Sequence, residues 1–425
     1  MAETLRDVPR TTAFDWFVRL YIAASLGLFA NLFNLSPLAL PGLFNVAWAS
    51  LYAATLPLLL SLVLSGMAAR SWAILGFSGY LILSTVWSQL PQQTLQNSIA
   101  IAMNMGFAIV CAERLSVKRF SENVRWALNA MVLLSLLTAA VGMPSAWYQD
   151  VMNRPTILGT NPIQGLFSHK IFFGVYSTAA LIFNAIAIGG VRRMLIVSAC
   201  LLAILLSGST TALFTALVAC VLLLLVGLYS KGFFQFAVGP LTGILLATLI
   251  ILPSAFEPIL NAFGRDATLT GRTELWAWAL WFFEKRPILG WGYRGIFGDS
   301  IAAPGHLIAL ASGYEPPHFH SGYLQVLTET GVLGASLFMI ILLASITRLA
   351  ASSIADKGNA HAAALLIAIL ALASISAGMN ILLHYNDITT LLIVFGFCHR
   401  WRDIRTSKPM YDTSQGRTYL RSAIT

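Results

Sequence analysis

The sequence has few charged residues: Asp, Glu, Lys and Arg make up 10% of its 425 residues, whereas 57% are hydrophobic. Its mean hydropathy of +0.76 is above what a soluble domain needs to fill one core. Only four cysteines occur, all inside apolar runs, so neither a disulfide framework nor a thiolate metal site is indicated. These absences exclude an ordinary soluble domain and favour a membrane protein.

Apolar runs close to the length that crosses about 30 Å of hydrocarbon are the main feature that is present. They predict an all-α integral membrane protein with about 12 transmembrane helices. The expected spans are 17–35, 43–64, 72–87, 95–112, 124–142, 171–189, 194–207, 210–229, 233–253, 323–347, 361–383 and 388–401. The block 194–229 is too long for one crossing, and we interpret its polar break SGSTT as the turn of a hairpin.

The spans divide the chain into a membrane region of about nine spans (1–253), a large loop (254–322), a membrane region of about three spans (323–403) and a basic tail (404–425). With a cytoplasmic N-terminus, all but seven of the 26 Lys and Arg residues fall on the cytoplasmic side, in accord with the positive-inside rule. Both termini are then cytoplasmic, and the loops 143–170 and 254–322 face the periplasm. The seven remaining cations all lie in these two loops: Arg154, Lys170, Arg265, Arg272, Lys285, Arg286 and Arg294.

The segment TLTGRTELWAWALWFFEKRP in the large loop predicts a short helix that is entered at Thr270 or Gly271 and ends before Pro287. It is too short to span a membrane, and its Trp and Phe side chains suit the headgroup region. Arg272 falls in its first turn, where free backbone N–H groups and the helix dipole favour an anion. We interpret Lys285 and Arg286 as contacts to lipid headgroups.

Two histidines, His318 and His320, lie two residues apart in PPHFHSGYLQVLTETGVLG, just before the span 323–347. An imidazole that titrates near neutral pH suits proton transfer. A role in capping the helix or anchoring it at the interface is the alternative, and a metal site would need further ligands at a spacing that the loops do not offer. The motif GWGYRG (290–295) fits G-x-G-x-x-G but neither follows a strand nor opens a helix, so we interpret it as a flexible turn.

Several motifs resemble those of the bacterial O-antigen ligase, O-antigen polymerase and exopolysaccharide-production superfamily. They are LTGRTELW, PILGWGY and HSGYLQVLTETGVLG in the large loop, and STVWSQLPQQTL, GLFSHKIFFG and LSGSTTAL before it. The superfamily pattern of His, then Asn, Ser or Gln, then nine residues and Gly is met by His320, Ser321 and Gly331. The resemblance implies a GT-C-like membrane enzyme that transfers a glycan from undecaprenyl diphosphate to an acceptor hydroxyl at the periplasmic face of the inner membrane. It also implies inversion at the anomeric carbon, without a metal or another cofactor.

The same resemblance implies roles for particular residues. His320 corresponds to the catalytic histidine and Arg272 to the loop arginine that stabilises the leaving diphosphate. We expect the other substrate-binding residues to be Arg265, Lys170, His318, Arg154, Tyr323 and Arg294. The chain departs from the pattern at Thr210 and Thr211, where many members have an arginine, and at Ile171, where the motif HKN is common. Since no D-x-D pair is available to hold a divalent metal, arginine would have to neutralise the diphosphate.

The expected partners are an undecaprenyl-diphosphate-linked oligosaccharide, a growing polysaccharide or other glycan acceptor, membrane lipids and other polysaccharide assembly proteins. Nucleic acid is not expected, because the positive charge is explained by topology. The motifs are most similar to exopolysaccharide repeat-unit polymerases, while an O-antigen ligase or a protein O-oligosaccharyltransferase remains open. A transporter of polysaccharide or lipid-linked sugar is the alternative of a different class, although it would favour ionisable residues at mid-membrane over the span-end positions seen here.

Overall fold

The computed structural model describes residues 11–30, 32, 42–149, 155–187, 189–228, 272–355 and 359–399. Within these ranges the structure is helical, apart from turns and one isolated bridge between Trp147 and Ile163. The expected span 233–253, the tail 404–425, and the candidate residues Arg154 and Arg265 lie outside the described residues.

The described helices follow the apolar runs of the sequence closely. They are α1 (Ala13–Ser25), α2 (Leu28–Ala30), α3 (Leu43–Ser65), α4 (Ala69–Leu83), α5 (Pro91–Arg114), α6 (Val117–Ala140), α7 (Lys170–Ala187), α8 (Gly190–Leu206), α9 (Thr210–Leu228), α10 (Arg272–Lys285), α11 (His306–Ser312), α12 (Gly322–Ala355), α13 (Ala360–Ile375) and α14 (Ile388–Cys398). The predicted hairpin is confirmed, because α8 and α9 are separated at the SGSTT break.

Four of these helices, α3, α5, α6 and α12, are long and apolar enough to cross a membrane, and α7, α9, α13 and α14 are shorter apolar helices. Nearly every residue of α13 and α14 is buried, so these two helices lie inside the bundle, as expected for helices that are apolar all round. The protein is therefore an all-α integral membrane protein. The number of twelve spans stays a prediction.

One predicted span ends earlier than expected. The apolar run 361–383 predicts a helix throughout, but α13 ends at Ile375 and residues 376–387 form a non-helical segment that is largely buried. The carbonyls of Ser376 and Met379 accept hydrogen bonds from the backbone N–H of Gly322, at 2.7 and 3.0 Å. Since these bonds come from another element, tertiary contact decides the local structure here. The segment 376–387 borders the candidate site described below.

The helix ends gather into two groups. At the first, Gln93 near the start of α5 donates to the carbonyls of Arg294 and Phe297, and the Tyr293 hydroxyl donates to the carbonyl of Leu383. We call this the site end. The second group contains the start of α1, the start of α6 and the ends of α12 and α14, and we call it the paired end. Loops that the sequence places on one side of the membrane meet at the site end, while the orientation of that end toward the periplasm stays a prediction.

The described part of the large loop is folded around a small core of its own. The predicted short helix is confirmed as α10, and its buried residues pack on the segments that follow it. The core consists of Leu275, Ala279, Phe282, Trp291, Ile296, Ile308 and Phe319. Arg286 lies over the ring of Trp291 at 4.3 Å and donates to the carbonyl of Trp87 at 2.9 Å, so it contacts protein rather than only lipid. Lys285 is exposed beside Trp281.

Helix α12 is broken at Gly331, whose φ of 63° and ψ of −174° lie in a region that only glycine adopts readily. The segment 287–292 fills the break and bonds the backbone groups that it exposes. The N–H groups of Trp291 and Gly292 donate to the carbonyls of Thr328 and Glu329, the Tyr80 hydroxyl donates to the carbonyl of Thr330, and the N–H groups of Val332 and Leu333 donate to the carbonyls of Pro287 and Ile288. GWGYRG forms a turn, as predicted, but the turn is buried and bonded rather than flexible: its first four residues are buried and this segment completes the broken helix.

Candidate active site

The histidine pair lies on a non-helical segment that leads into α12. Phe319 packs in the small core and is fully buried, while the left-handed backbone of His320 (φ 52°) and the bond from its N–H to His318 bring the two imidazoles together. Their ring centroids are 4.2 Å apart, and both side chains are half-buried. The backbone N–H of His320 donates to Nδ1 of His318 at 3.1 Å, so neutral His318 carries its proton on Nε2. Its Nε2–H is thus a hydrogen-bond donor.

Arg272 is the first residue of α10, as expected, and its guanidinium lies near the histidine pair. A Cβ added to Gly378 would lie 3.0 Å from Nη1 of Arg272, and Gly378 belongs to the segment that bonds Gly322 directly after the histidines. Burial lowers the pKa of Arg272 from its usual value. Among the described residues no Asp or Glu pairs with it. A half-buried guanidinium without an acidic partner is a receptor for an anion.

The electrostatics of the site keep its histidines neutral at pH 7. Burial, followed by the charges of Arg272 and His169, lowers the pKa of His320 to about 4. Burial also lowers the pKa of His318 to about 3, with further contributions from His320, Arg294, His384 and Arg272. His320 is therefore in the form that can accept a proton.

Arg294 and Glu329 connect the histidine segment to the rest of the site. Glu329 is buried, receives the backbone N–H of Arg294, and accepts from Nε2 of Gln325 at 2.5 Å. Oε1 of the same Gln325 accepts the N–H of Phe319 at 3.1 Å. Glu329 is therefore bonded to the backbone of Arg294 and, through Gln325, to the backbone of Phe319. The guanidinium of Arg294 lies 5.4 Å from the ring of Tyr385.

The first long loop reaches the site through the start of α7. Nε2 of His169 and the hydroxyl of Tyr148 are 2.9 Å apart, and Nζ of Lys170 lies 4.9 Å from the Tyr148 ring. The effect of His169 on the pKa of His320 shows that the two histidines are neighbours. Lys170 is therefore at the same end of the bundle as His320.

Tyr323 is positioned differently from the other expected substrate-binding residues. Its hydroxyl donates to the carbonyl of Ala373 at 2.9 Å, so it joins α12 to α13. A role in binding substrate stays a prediction for Tyr323. The structure brings His318 and Arg294 close to His320 and Arg272, and it places Lys170 beside Tyr148 at the same end of the bundle.

Strained backbone conformations occur at the site end. Among the described residues, those other than glycine with positive φ are Arg294, His320, Leu383 and Asn386, and all four lie in segments at the site end. Such conformations cost about 1–3 kcal/mol each and persist where the surrounding structure imposes them. Their concentration at one end indicates a functional site there.

Sequence reasoning missed three residues of this site: Glu329, His169 and His384. The sequence alone assigned none of the three a role. The signal that could have found His384 is the polar stretch HYND (384–387) between two apolar runs. Within the described ranges no three His, Cys, Asp or Glu side chains cluster as metal ligands, and catalysis without a metal stays a prediction.

Comparison with known proteins gives two matches. The family profile described as O-antigen ligase matches residues 195–339, which include Arg272, Arg294, His320 and Glu329. The chain is also 25% identical over 343 residues to the exopolysaccharide production protein ExoQ of Rhizobium meliloti (strain 1021), covering 74% of each chain. These matches confirm the resemblance to the O-antigen ligase and ExoQ-like superfamily.

Proposed function

We propose that this protein is a glycosyltransferase of polysaccharide production that moves a glycan from undecaprenyl diphosphate to a hydroxyl of a glycan acceptor. We place the reaction at the periplasmic face of the bacterial inner membrane, and we favour a repeat-unit polymerase of exopolysaccharide or O-antigen. The observation that carries the proposal is the half-buried Arg272, which has no acidic partner among the described residues and lies beside neutral His320. An anionic leaving group and a proton acceptor are what this transfer requires.

In the proposed mechanism, Arg272 binds the diphosphate of the donor, with Lys170 and Arg294 as further cations. His320 takes the proton from the acceptor hydroxyl as its oxygen attacks the anomeric carbon from the face opposite the diphosphate. The bond from that carbon to the diphosphate oxygen breaks, and the configuration inverts. Arginine neutralises the charge that develops on the leaving oxygen, the task of a divalent cation in other sugar-diphosphate enzymes.

Donor binding would also strengthen the base. In the free protein, the positive charge of Arg272 contributes to the low pKa of His320. A bound diphosphate offsets that charge, and a negative neighbour raises the pKa of an imidazole. His320 thus becomes a better proton acceptor when the donor is in place. Proton removal from a hydroxyl is therefore disfavoured when no donor is bound.

The test is the rate of glycosidic bond formation by purified protein with a defined undecaprenyl-diphosphate oligosaccharide. His320→Ala should lower this rate about a hundredfold to ten-thousandfold, because a positioned base is lost. His361→Ala is a matched control, since His361 is another half-buried histidine that lies at the paired end beside Ser121. A near wild-type rate for His320→Ala, or transport of the lipid-linked sugar without bond formation, would overturn the proposal.

A ligase that uses another acceptor is the second candidate, favoured by the description of the matched family as O-antigen ligase. Lipid-linked oligosaccharides from a deletion strain distinguish the two functions. A strain without a polymerase accumulates single repeat units on the carrier, whereas a strain without a ligase accumulates long chains there.

A further inference from the structure

The segment 376–387 forms a third wall of the site, and it lies outside the residues that the family profile matches. Gly322 bonds the carbonyls of Ser376 and Met379, and the Arg272 guanidinium lies against Gly378. Farther along the segment, the Tyr293 hydroxyl donates to the carbonyl of Leu383 at 2.9 Å. This wall is therefore fixed to both the histidine segment and the arginines.

His384 lies on this wall between two strained residues, Leu383 (φ 48°) and Asn386 (φ 56°). Its ring is stacked on that of Tyr385, with centroids 4.9 Å apart and an interplanar angle of 19°. The guanidinium of Arg294 also lies against Tyr385, 5.4 Å from its ring. Asn386 is held in turn by the hydroxyl of Tyr52, so the position of His384 is set by its surroundings.

The protonation of His384 follows from one hydrogen bond. Its Nδ1 is 2.8 Å from the carbonyl oxygen of Tyr385, and a carbonyl can only accept, so Nδ1 carries the proton. Burial and the charge of Arg294 lower the pKa of the ring to about 3, so it is neutral and Nε2 has a free lone pair. Nε2 has no hydrogen-bond partner among the described residues and is not one of their buried unpaired nitrogens.

The Nε2 lone pair of His384 is a hydrogen-bond acceptor, whereas most of the polar groups around it are donors. Arg272, Arg294 and Nε2 of His318 are donors, which suits phosphate oxygens but leaves the hydrogen of a sugar hydroxyl without an acceptor. The buried carboxylates nearby already accept bonds from protein groups: Glu329 from Gln325, and Asp387 from Tyr176 and Thr389. Nε2 of His384 is thus an available acceptor beside the donors.

We infer that His384 binds the acceptor sugar, with its Nε2 accepting a hydrogen bond from a sugar hydroxyl next to the one that reacts. This inference rests on the proposed function and adds a residue that recognises the acceptor. The donors of the site hold the diphosphate, while His384 orients the acceptor glycan toward His320. The ligand class is a hydroxyl-bearing sugar of the nascent or accepting glycan.

Two substitutions separate this role from a structural one. In His384→Asn, the amide N–H can replace Nδ1–H toward the Tyr385 carbonyl, but no acceptor remains at the position of Nε2. In His384→Gln, the amide oxygen can reach the position of Nε2, but the bond to Tyr385 is lost. The measurements are initial rates of purified full-length protein, with the lipid-linked donor and an oligosaccharide acceptor varied in turn.

We expect His384→Asn to raise the KM for the acceptor about tenfold, the usual effect of losing one buried hydrogen bond, without changing the KM for the donor. His384→Gln should stay within about threefold of wild type. A wild-type acceptor KM in His384→Asn, or equal damage to donor and acceptor KM in both variants, would show a structural role and overturn the inference. A wild-type protein that forms no glycosidic bond would overturn the proposed function itself, and with it this inference.

Discussion

The two ends of the helical bundle treat their charges differently. At the paired end, Nη2 and Nε of Arg119 donate to the carboxylate of Asp15, at 2.6 and 2.9 Å, and Asn123 donates to the same carboxylate. Asn123 also accepts from Arg19, and Arg348 donates to the carbonyl of His399 at 2.8 Å. These cations have partners within the protein.

At the site end, Arg272 has no acidic partner among the described residues, and two neutral histidines, His318 and His320, lie near it. The strained backbone positions are also found at this end. An unpaired cation in a partly buried site costs stability, which a bound anion restores. Among the described residues, the contrast is between Arg119, which Asp15 neutralises, and Arg272, which no carboxylate neutralises.

The largest difference between the two ends should appear on arginine-to-lysine substitution. Arg272→Lys keeps the charge but loses the planar fork that binds two phosphate oxygens, so the rate of glycan transfer should fall about a hundredfold. Arg119→Lys at the paired end should retain most of the activity and lose some thermal stability. Steady-state rates of the two purified variants measure this contrast. Equal activity in both would make Arg272 a generic cation.

Substitution of the glycine at the helix break should have the next largest effect. A Cβ on Gly331 would lie 2.2 Å from the Ile288 carbonyl oxygen, and its backbone conformation alone costs another residue about 1–3 kcal/mol. We expect Gly331→Ala to lower the melting temperature and the activity together, because the break holds Glu329 and the half-helix after His320. Gly76→Ala in α4 is the control, since nothing lies within 4 Å of its Cβ position. A fully stable, active Gly331→Ala would show that the break is not required.

A smaller loss, about tenfold in rate, is expected for Glu329→Gln. The side chain keeps its size but loses one of the carboxyl oxygens that accept from the Arg294 backbone N–H and the Gln325 amide, so the segments that carry Arg294 and Phe319 lose their common partner. Asp299→Asn provides the control, because Asp299 is an exposed acid of the same loop. Rates and melting temperatures of both proteins test the prediction. Unchanged kinetics for Glu329→Gln would restrict Glu329 to a packing role.

The smallest expected effect is a difference between two pH profiles. The pKa of His320 in the free protein is lowered to about 4, so activity that requires neutral His320 is lost only as the pH falls toward that value. The diphosphate raises this pKa, so the acid limb of kcat should lie at higher pH than that of kcat/KM for the donor, by about one unit. The opposite order of the two limbs would contradict the proposed effect of the donor on the base.

The sequence was a good guide to the elements and to half of the site. Apolar run length placed the helices, and the helix start in front of Arg272 and the pair His318 and His320 pointed to the chemistry. The break at Gly331 could not be predicted, because the residues that follow it stay apolar and the compensating bonds come from a segment some forty residues earlier. The non-helical segment 376–387 could not be predicted for a similar reason. Its sequence SAGMNILL is apolar enough to continue a helix, and only its contacts with Gly322 and Tyr293 show otherwise.

The central claim is that Arg272, which has no acidic partner among the described residues, binds the donor diphosphate. The most direct measurement is the dissociation constant of an undecaprenyl-diphosphate oligosaccharide for purified wild type, Arg272→Gln and Arg119→Gln, by calorimetry. We predict binding about tenfold to a hundredfold weaker for Arg272→Gln, equivalent to losing a charged hydrogen bond of about 1.5–3 kcal/mol, and little change for Arg119→Gln. Equal affinity of wild type and Arg272→Gln would contradict the account.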